Sequence, residues 1–262
     1  MHKKLLLLCL LSLPALATLA QQERLDQIAD SITREGKALY RSEWGSWYGT
    51  DVFEAKCPAK VDLSGGYFSY ETDKNLVNVF FSKAEEPRVL ASITFAKDFN
   101  KDNYTLDTLS RKFTQTEQDY YNTRKAATAK IFADTIVKGY KHTTLNVVPM
   151  IENGIKKAYV LTGTTQQGVV LFGNDYLVSF DAAGNAVSIK ALHRNLISVS
   201  LKSDSGKVIL GGIHNHLPPS SEFITATDIC TLMLYEGFTT WNTYDVLSKD
   251  YVSMWDCKRT SW

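Results

Sequence analysis

The sequence predicts an α+β protein: an N-terminal helix plus an antiparallel meander, then a C-terminal domain built on a mixed sheet. Three observations carry this. Apolar residues recur at helical spacing over residues 23–40 and again over 109–140. Short β-type runs separated by turn residues lie between and after these segments. Near the C-terminus a strand-like run leads through Pro218-Pro219-Ser220-Ser221 into a helix start. The expected division is a leader over residues 1–20, the helix and antiparallel strands over 21–105, and the mixed-sheet domain over 106–262.

The leader comes first. Lys3 and Lys4 precede an apolar run from Leu5 to Leu13, and small residues close the segment at Ala20. That is the layout of a secretory signal peptide, and the run is too short for a permanent membrane helix. Cys9 lies inside the apolar run, which argues against lipid attachment. Cleavage after Ala20 leaves residues 21–262 without another long apolar run, so the expected product is soluble and exported, to the periplasm or beyond. The Ala-Gln-Gln junction resembles bacterial signal peptides.

Leu25, Ile28, Ala29, Ile32, Leu39 and Tyr40 give the first helix its apolar side. Trp44, Gly45, Trp47, Tyr48 and Gly49 follow, and read as a helix exit packed on the body. An aromatic platform for carbohydrate is the sharper alternative for Trp44, Trp47 and Tyr48. Residues 66–70, 76–81 and 89–95 are β-type runs joined by turns, hence the meander, and 98–107 reads as a polar connector. In the long helix over 109–140, Thr114 and Glu117 have capping spacing and Gly139 marks the end. Strands are expected at 145–151, 158–162, 168–172, 176–180 and 186–191, and after the last helix at 239–246 and 251–255.

Charge and cysteines narrow the class. The chain has 29 basic and 28 acidic residues, 27 against 28 once Lys3 and Lys4 are removed. Such a balance offers no broad attraction for nucleic acid or an anionic membrane. Cys57, Cys230 and Cys257 remain after processing; an odd number permits one internal disulfide at most, and Cys230–Cys257 is the pair considered beside simple burial.

The chemistry concentrates between Lys207 and Asp228. Val208, Ile209 and Leu210 begin a run read as a buried strand, with His214 and His216 at its end. Side chains two apart in a strand leave the same face, so both imidazoles can reach one spot. Thr225 and Asp228 open the next helix with the spacing of a capping box. Two neutral nitrogens and a carboxylate suffice as three protein ligands to zinc, with a fourth position left for water.

His214-Asn215-His216, eight residues, Thr225, two residues and Asp228 resemble the metal site of the JAB1/MPN/Mov34 (JAMM) metalloenzymes and their RadC-like relatives. That family has seven residues and Ser where this chain has eight and Thr225, and its Pro is displaced here to Pro218. The resemblance covers residues 207–258 and, more faintly, 144–206. It implies a cytidine-deaminase-like mixed sheet, zinc on His214, His216 and Asp228, and Thr225 supporting an oxyanion. The family also uses a Glu from an early strand as general base. No Glu occurs here from 153 to 213, which leaves Glu152 and Glu222 as substitutes. His142 and His193 receive no role, His193 being read as a hydrogen-bonded structural residue.

Two functions follow as expectations. One is an exported zinc-dependent peptidase or isopeptidase acting on a peptide or protein. The other, motivated by the missing Glu, is a catalytically inactive module of the same fold that binds a peptide or protein partner in the periplasm or at the cell surface.

Overall fold

The computed structural model describes the backbone of residues 3–201 and 207–258, and side chains from residue 20 onward. The side chains of the expected leader up to residue 19 lie outside the described residues. Among the described residues no helix is long and apolar enough to cross a membrane.

The chain is α+β. Helix α1 runs over Lys3–Lys56 and does not exit at residues 41–49 as expected. Its glycines serve close packing instead. A Cβ at Gly45 would sit 2.8 Å from Leu76 Cδ2, and one at Gly49 would sit 2.2 Å from Asn78 Oδ1. The helix therefore lies directly on a strand and continues until Cys57 and Pro58, where the short α2 (Pro58–Val61) begins. Trp44 is buried and meets Phe95 and Phe99 edge-on, whereas Trp47 is exposed and stacks on Phe238. The three aromatics of the carbohydrate alternative therefore share no exposed face.

Strands β1 (Ser64–Glu71), β2 (Asn75–Ser82) and β3 (Val89–Ala96) form the expected antiparallel meander. A fourth strand, β4 (Tyr104–Asp107), joins its edge where a connector was expected. Polar composition hid it: only Tyr104 and Leu106 of its four residues pack on the core.

Helix α3 (Gln115–Phe132) is shorter at both ends than the 109–140 expected. Thr114 is its N-cap, and the capping box with Glu117 is complete. Upstream, Arg111 bridges Val89 in extended conformation, while its guanidinium holds the buried Glu117 carboxylate at 2.6 and 2.7 Å. Downstream, Asp134 Oδ1 accepts from Ile136 N–H, so a side chain takes the donor that a continuing helix needs.

Strands β5 (Thr143–Glu152), β6 (Ile155–Thr164), β8 (Tyr176–Phe180) and β9 (Ala186–Ala191) form an antiparallel sheet in that order. The intervening β7 (Val169–Gly173) pairs with β10 (Leu196–Ser200), a strand not expected from the sequence. The last sheet is mixed. Strand β11 (Gly211–Asn215) runs parallel to β12 (Thr243–Leu247), which is antiparallel to β13 (Val252–Asp256).

Residues 207–210 precede β11 rather than belonging to it, and Val208 and Leu210 are 68% and 58% exposed. This corrects the reading of a buried strand beginning at Val208. The apolar run stops being a ladder because Thr240 Oγ1 and Asn242 N–H donate to the carbonyls of Ile209 and Leu210 before register with β12 begins.

Helix α4 (Ala226–Leu234) follows the loop after β11 and packs against α1. A Cβ on Gly36 of α1 would lie 2.7 Å from Ile229 Cβ, so the two helices touch there. One core joins Leu39 and Trp44 of α1, Ile93 and Phe95 of the meander, Tyr159 of β6 and Ile229 of α4. Cys57, Cys230 and Cys257 are buried free thiols.

Candidate metal centre

Four side chains converge where the second antiparallel sheet, the mixed sheet and α4 meet. His193 follows β9, His214 lies on β11, His216 one residue beyond it, and Asp228 is in the first turn of α4. All four are buried, and one donor atom from each lies within 4.8 Å of the others. His214, His216 and Asp228 come together as their spacing suggests, and His193 joins them from the segment between β9 and β10.

Each ring turns Nε2 inward and occupies Nδ1 elsewhere. His193 Nδ1–H donates to Asp175 Oδ1 at 2.6 Å, His216 Nδ1–H donates to the Ser221 carbonyl at 3.1 Å, and His214 Nδ1 meets the Tyr244 hydroxyl at 3.3 Å. Outward hydrogen bonds of this kind fix the tautomer and leave a lone pair on the inner nitrogen. The inner nitrogens crowd together: His216 Nε2 is 2.8 Å from His193 Nε2 and 3.1 Å from His214 Nε2. Three lone pairs facing one another repel unless a cation lies between them.

Asp228 completes the set. Its Oδ2 accepts from the Thr225 N–H and hydroxyl, both at 2.8 Å, and lies 3.3 Å from His216 Nε2. Its Oδ1 is 3.1 Å from His193 Nε2 and 3.6 Å from His214 Nε2, yet makes no hydrogen bond of good geometry among the described residues and is shielded from water. An orphaned buried carboxylate oxygen is costly, and a cation between it and the three rings resolves the cost. The residues present therefore fit a metal ion.

Comparison with protein-family models, curated proteins and solved structures finds no match for this chain.

Glycine and capping chemistry explain how these residues arrive. Gly173 has φ +75°, and a Cβ there would lie 2.2 Å from the Asn195 carbonyl oxygen and 3.1 Å from His193 Cβ. Only a glycine lets the His193 segment cross so close to the end of β7, and the turn it makes delivers Asp175. The Asp175 carbonyl then accepts from Leu192 N–H at 3.0 Å, locking the two segments side by side. Gly212 permits the approach of Tyr244, whose ring a Cβ would meet at 2.4 Å. Thr225 N-caps α4 by accepting from Asp228 N–H at 3.1 Å.

Without an ion the electrostatics are those of a buried charged pair with neutral neighbours, the second proton on His193 taking the place of a cation. Burial opposes charge on His193, but Asp228 and Asp175 outweigh it and raise its pKa to about 11. Burial also disfavours the Asp228 carboxylate, yet the charge on His193 and the closeness of the other rings hold it well below the usual range. Burial lowers His214 to about 4 against the opposing pull of Asp228, which leaves a neutral ring suited to ligation. Burial likewise pushes the Tyr244 hydroxyl up, so it stays neutral, and its oxygen accepts from His214 Nδ1–H in the tautomer that ligates.

The remaining candidates lie elsewhere or are otherwise engaged. The Thr225 hydroxyl is spent on Asp228, which it orients. Glu152 is exposed at the end of β5, beside a cavity lined by Arg41 and Met150 and by none of the three histidines. Glu222 is exposed in the loop before α4. Asp175 is the carboxylate that backs the centre, and both its oxygens are occupied, one by His193 and one by the Thr227 hydroxyl.

Proposed function

We propose that this chain is an exported metalloprotein that holds zinc on His193, His214, His216 and Asp228, in a scaffold resembling a JAMM domain. The observation that carries the reading is the convergence of three Nε2 atoms and an orphaned Asp228 oxygen in a buried spot. Imidazole and carboxylate donors suit zinc. Zinc–nitrogen bonds of about 2.0–2.1 Å put tetrahedral ligands about 3.3 Å apart; the contacts between His216 and the other two rings and between Asp228 and the rings run from 2.8 to 3.6 Å, and all four donors lie within 4.8 Å of one another. Support for the JAMM-like scaffold is the order His-x-His strand, loop, Asp-bearing helix and further strands, with β11 parallel to β12.

With four protein donors, a tetrahedral zinc is full, and no free carboxylate stands beside the centre among the described residues. These two features favour the binding module over the peptidase. A specific observation keeps the second reading: a cavity of about 380 Å³ reaches His193 and His214. Zinc there supplies a Lewis acid and, with one exchangeable position, water with a pKa of about 7. In that reading Asp175 and Tyr244 orient the rings, Thr225 orients Asp228, and the cavity admits a peptide.

Metal analysis of the purified mature protein tests the proposal. About one zinc per chain is expected, lost in His214→Ala and Asp228→Ala. A wild type without zinc, or both variants retaining it, overturns it. Cleavage of a peptide library that disappears in Asp228→Ala decides for the peptidase. Recovery of a chain beginning at Gln21 from the exported fraction tests the leader.

A further inference from the structure

The cavity beside the metal donors carries a charge pattern that names a ligand. His193 and His214 form one side, Arg194 stands at the rim, and Ile197, Ile213 and Leu217 supply apolar surface. Ile213 and Leu217 are 59% and 47% exposed, large apolar side chains left uncovered beside a polar centre. An adjoining cavity of about 220 Å³ shares His193 and Arg194 and adds Lys138. Among the described residues no acidic side chain lines either space. Arg194 is exposed and makes no hydrogen bond or ion pair among the described residues.

The charge count is specific. A divalent ion is balanced by Asp228 in the centre and Asp175 behind His193. In the cavity that touches both histidines Arg194 is then left with one uncompensated positive charge, Lys138 lying in the adjoining space. A single negative charge neutralises that cavity, and a dianion exceeds what it needs. Resting on the zinc reading above, we propose that the cavity binds a carboxylate carried on an apolar body. The carboxylate is shared between the ion, as a fifth ligand, and the Arg194 guanidinium, and the body covers Ile197, Ile213 and Leu217. A four-coordinate zinc can expand to a fifth ligand, and a guanidinium matches a carboxylate in shape and charge. The C-terminal end of a peptide with an apolar last residue presents this chemistry, as does a free aliphatic acid.

The test uses the mature full chain with cobalt(II) in place of zinc, followed by its visible absorption. Titrants are N-acetyl-alanyl-leucine, its C-terminal amide, isocaproate and inorganic phosphate. The acid is expected to perturb the spectrum and the amide to leave it unchanged. Arg194→Ala should weaken the acid at least about tenfold with cobalt content intact, and Arg194→Lys should fall between the two. A peptide acid at least tenfold tighter than isocaproate identifies a peptide end as the source; equal affinities identify a small acid. Acid and amide binding alike, phosphate binding as tightly as the acid, or an Arg194→Ala variant like wild type overturns the inference. A protein that holds cobalt but ignores every carboxylate sinks this inference alone, whereas one that holds no metal sinks the zinc reading beneath it.

Discussion

At the scale of single residues, the side chains behind the donors matter as much as the donors. Asp175 touches no ion in the proposed centre, yet it holds His193 by Nδ1 and is itself held by Thr227. Replacing Asp175 by Asn keeps the shape but removes the charge that favours one tautomer. Metal affinity is expected to fall about 10–100-fold, read by competition with a chromophoric chelator, and Thr227→Val should move it in the same direction by less. An unchanged affinity in Asp175→Asn would remove Asp175 from the centre. His214, His216 and Asp228 were legible in the sequence because strand pleat and helix capping are local rules. His193 was not, because its membership depends on the pairing of Leu192 with Asp175, which no spacing encodes. Glu152 and Glu222 were attractive only as the nearest carboxylates in sequence, and both side chains are exposed.

At the scale of elements, glycines read from the sequence as a helix exit serve close packing within a continuous helix. Gly45 and Gly49 resembled the exit of a helix, but they let α1 settle on β2 with almost no gap. Gly49→Ala should therefore destabilise the fold by about 1–3 kcal/mol through overpacking against the buried Asn78, measured by urea denaturation. Gly139→Ala, with nothing within 4 Å of the new methyl, serves as the control and should stay within about 0.5 kcal/mol of wild type. Equal effects at the two positions would mean that α1 does not lie so close to the sheet. The same contrast explains what was readable. The meander and the Thr114 box followed from alternation and capping, which act within a few residues. β10 and the lost turns of α3 followed from β7 and from Asp134, partners that alternation and helical spacing do not reveal.

At the scale of the whole molecule, metal and pH each couple to folding. The centre takes donors from three separate segments, after β9, at the end of β11 and at the start of α4, so an ion that binds only the folded chain stabilises it by mass action. At a free zinc concentration 100 times the dissociation constant this amounts to about 2.7 kcal/mol. The thermal midpoint should drop on chelation and recover with zinc, and Asp228→Ala should not respond. The pH response has a separate source. Glu43 on α1 is held by Asn146 at 2.8 Å through Oε2, while its buried Oε1 has no hydrogen-bond partner among the described residues. Burial raises its pKa from the ordinary 4.5 to about 7, against smaller opposing pulls from Asn146 and Arg124. Between those two values the folded chain keeps a proton that the unfolded chain has released. Stability from this group is thus fully present below about 4.5 and is lost as pH rises towards 7. The loss is on the order of 3 kcal/mol at most. Glu43→Gln removes the titration, so the variant should gain on wild type steadily across that window and hold a constant lead above it. Urea denaturation at a series of pH values, with zinc kept saturating, measures the difference. Parallel curves for the two proteins would show that Glu43 titrates in the folded chain as it does in water.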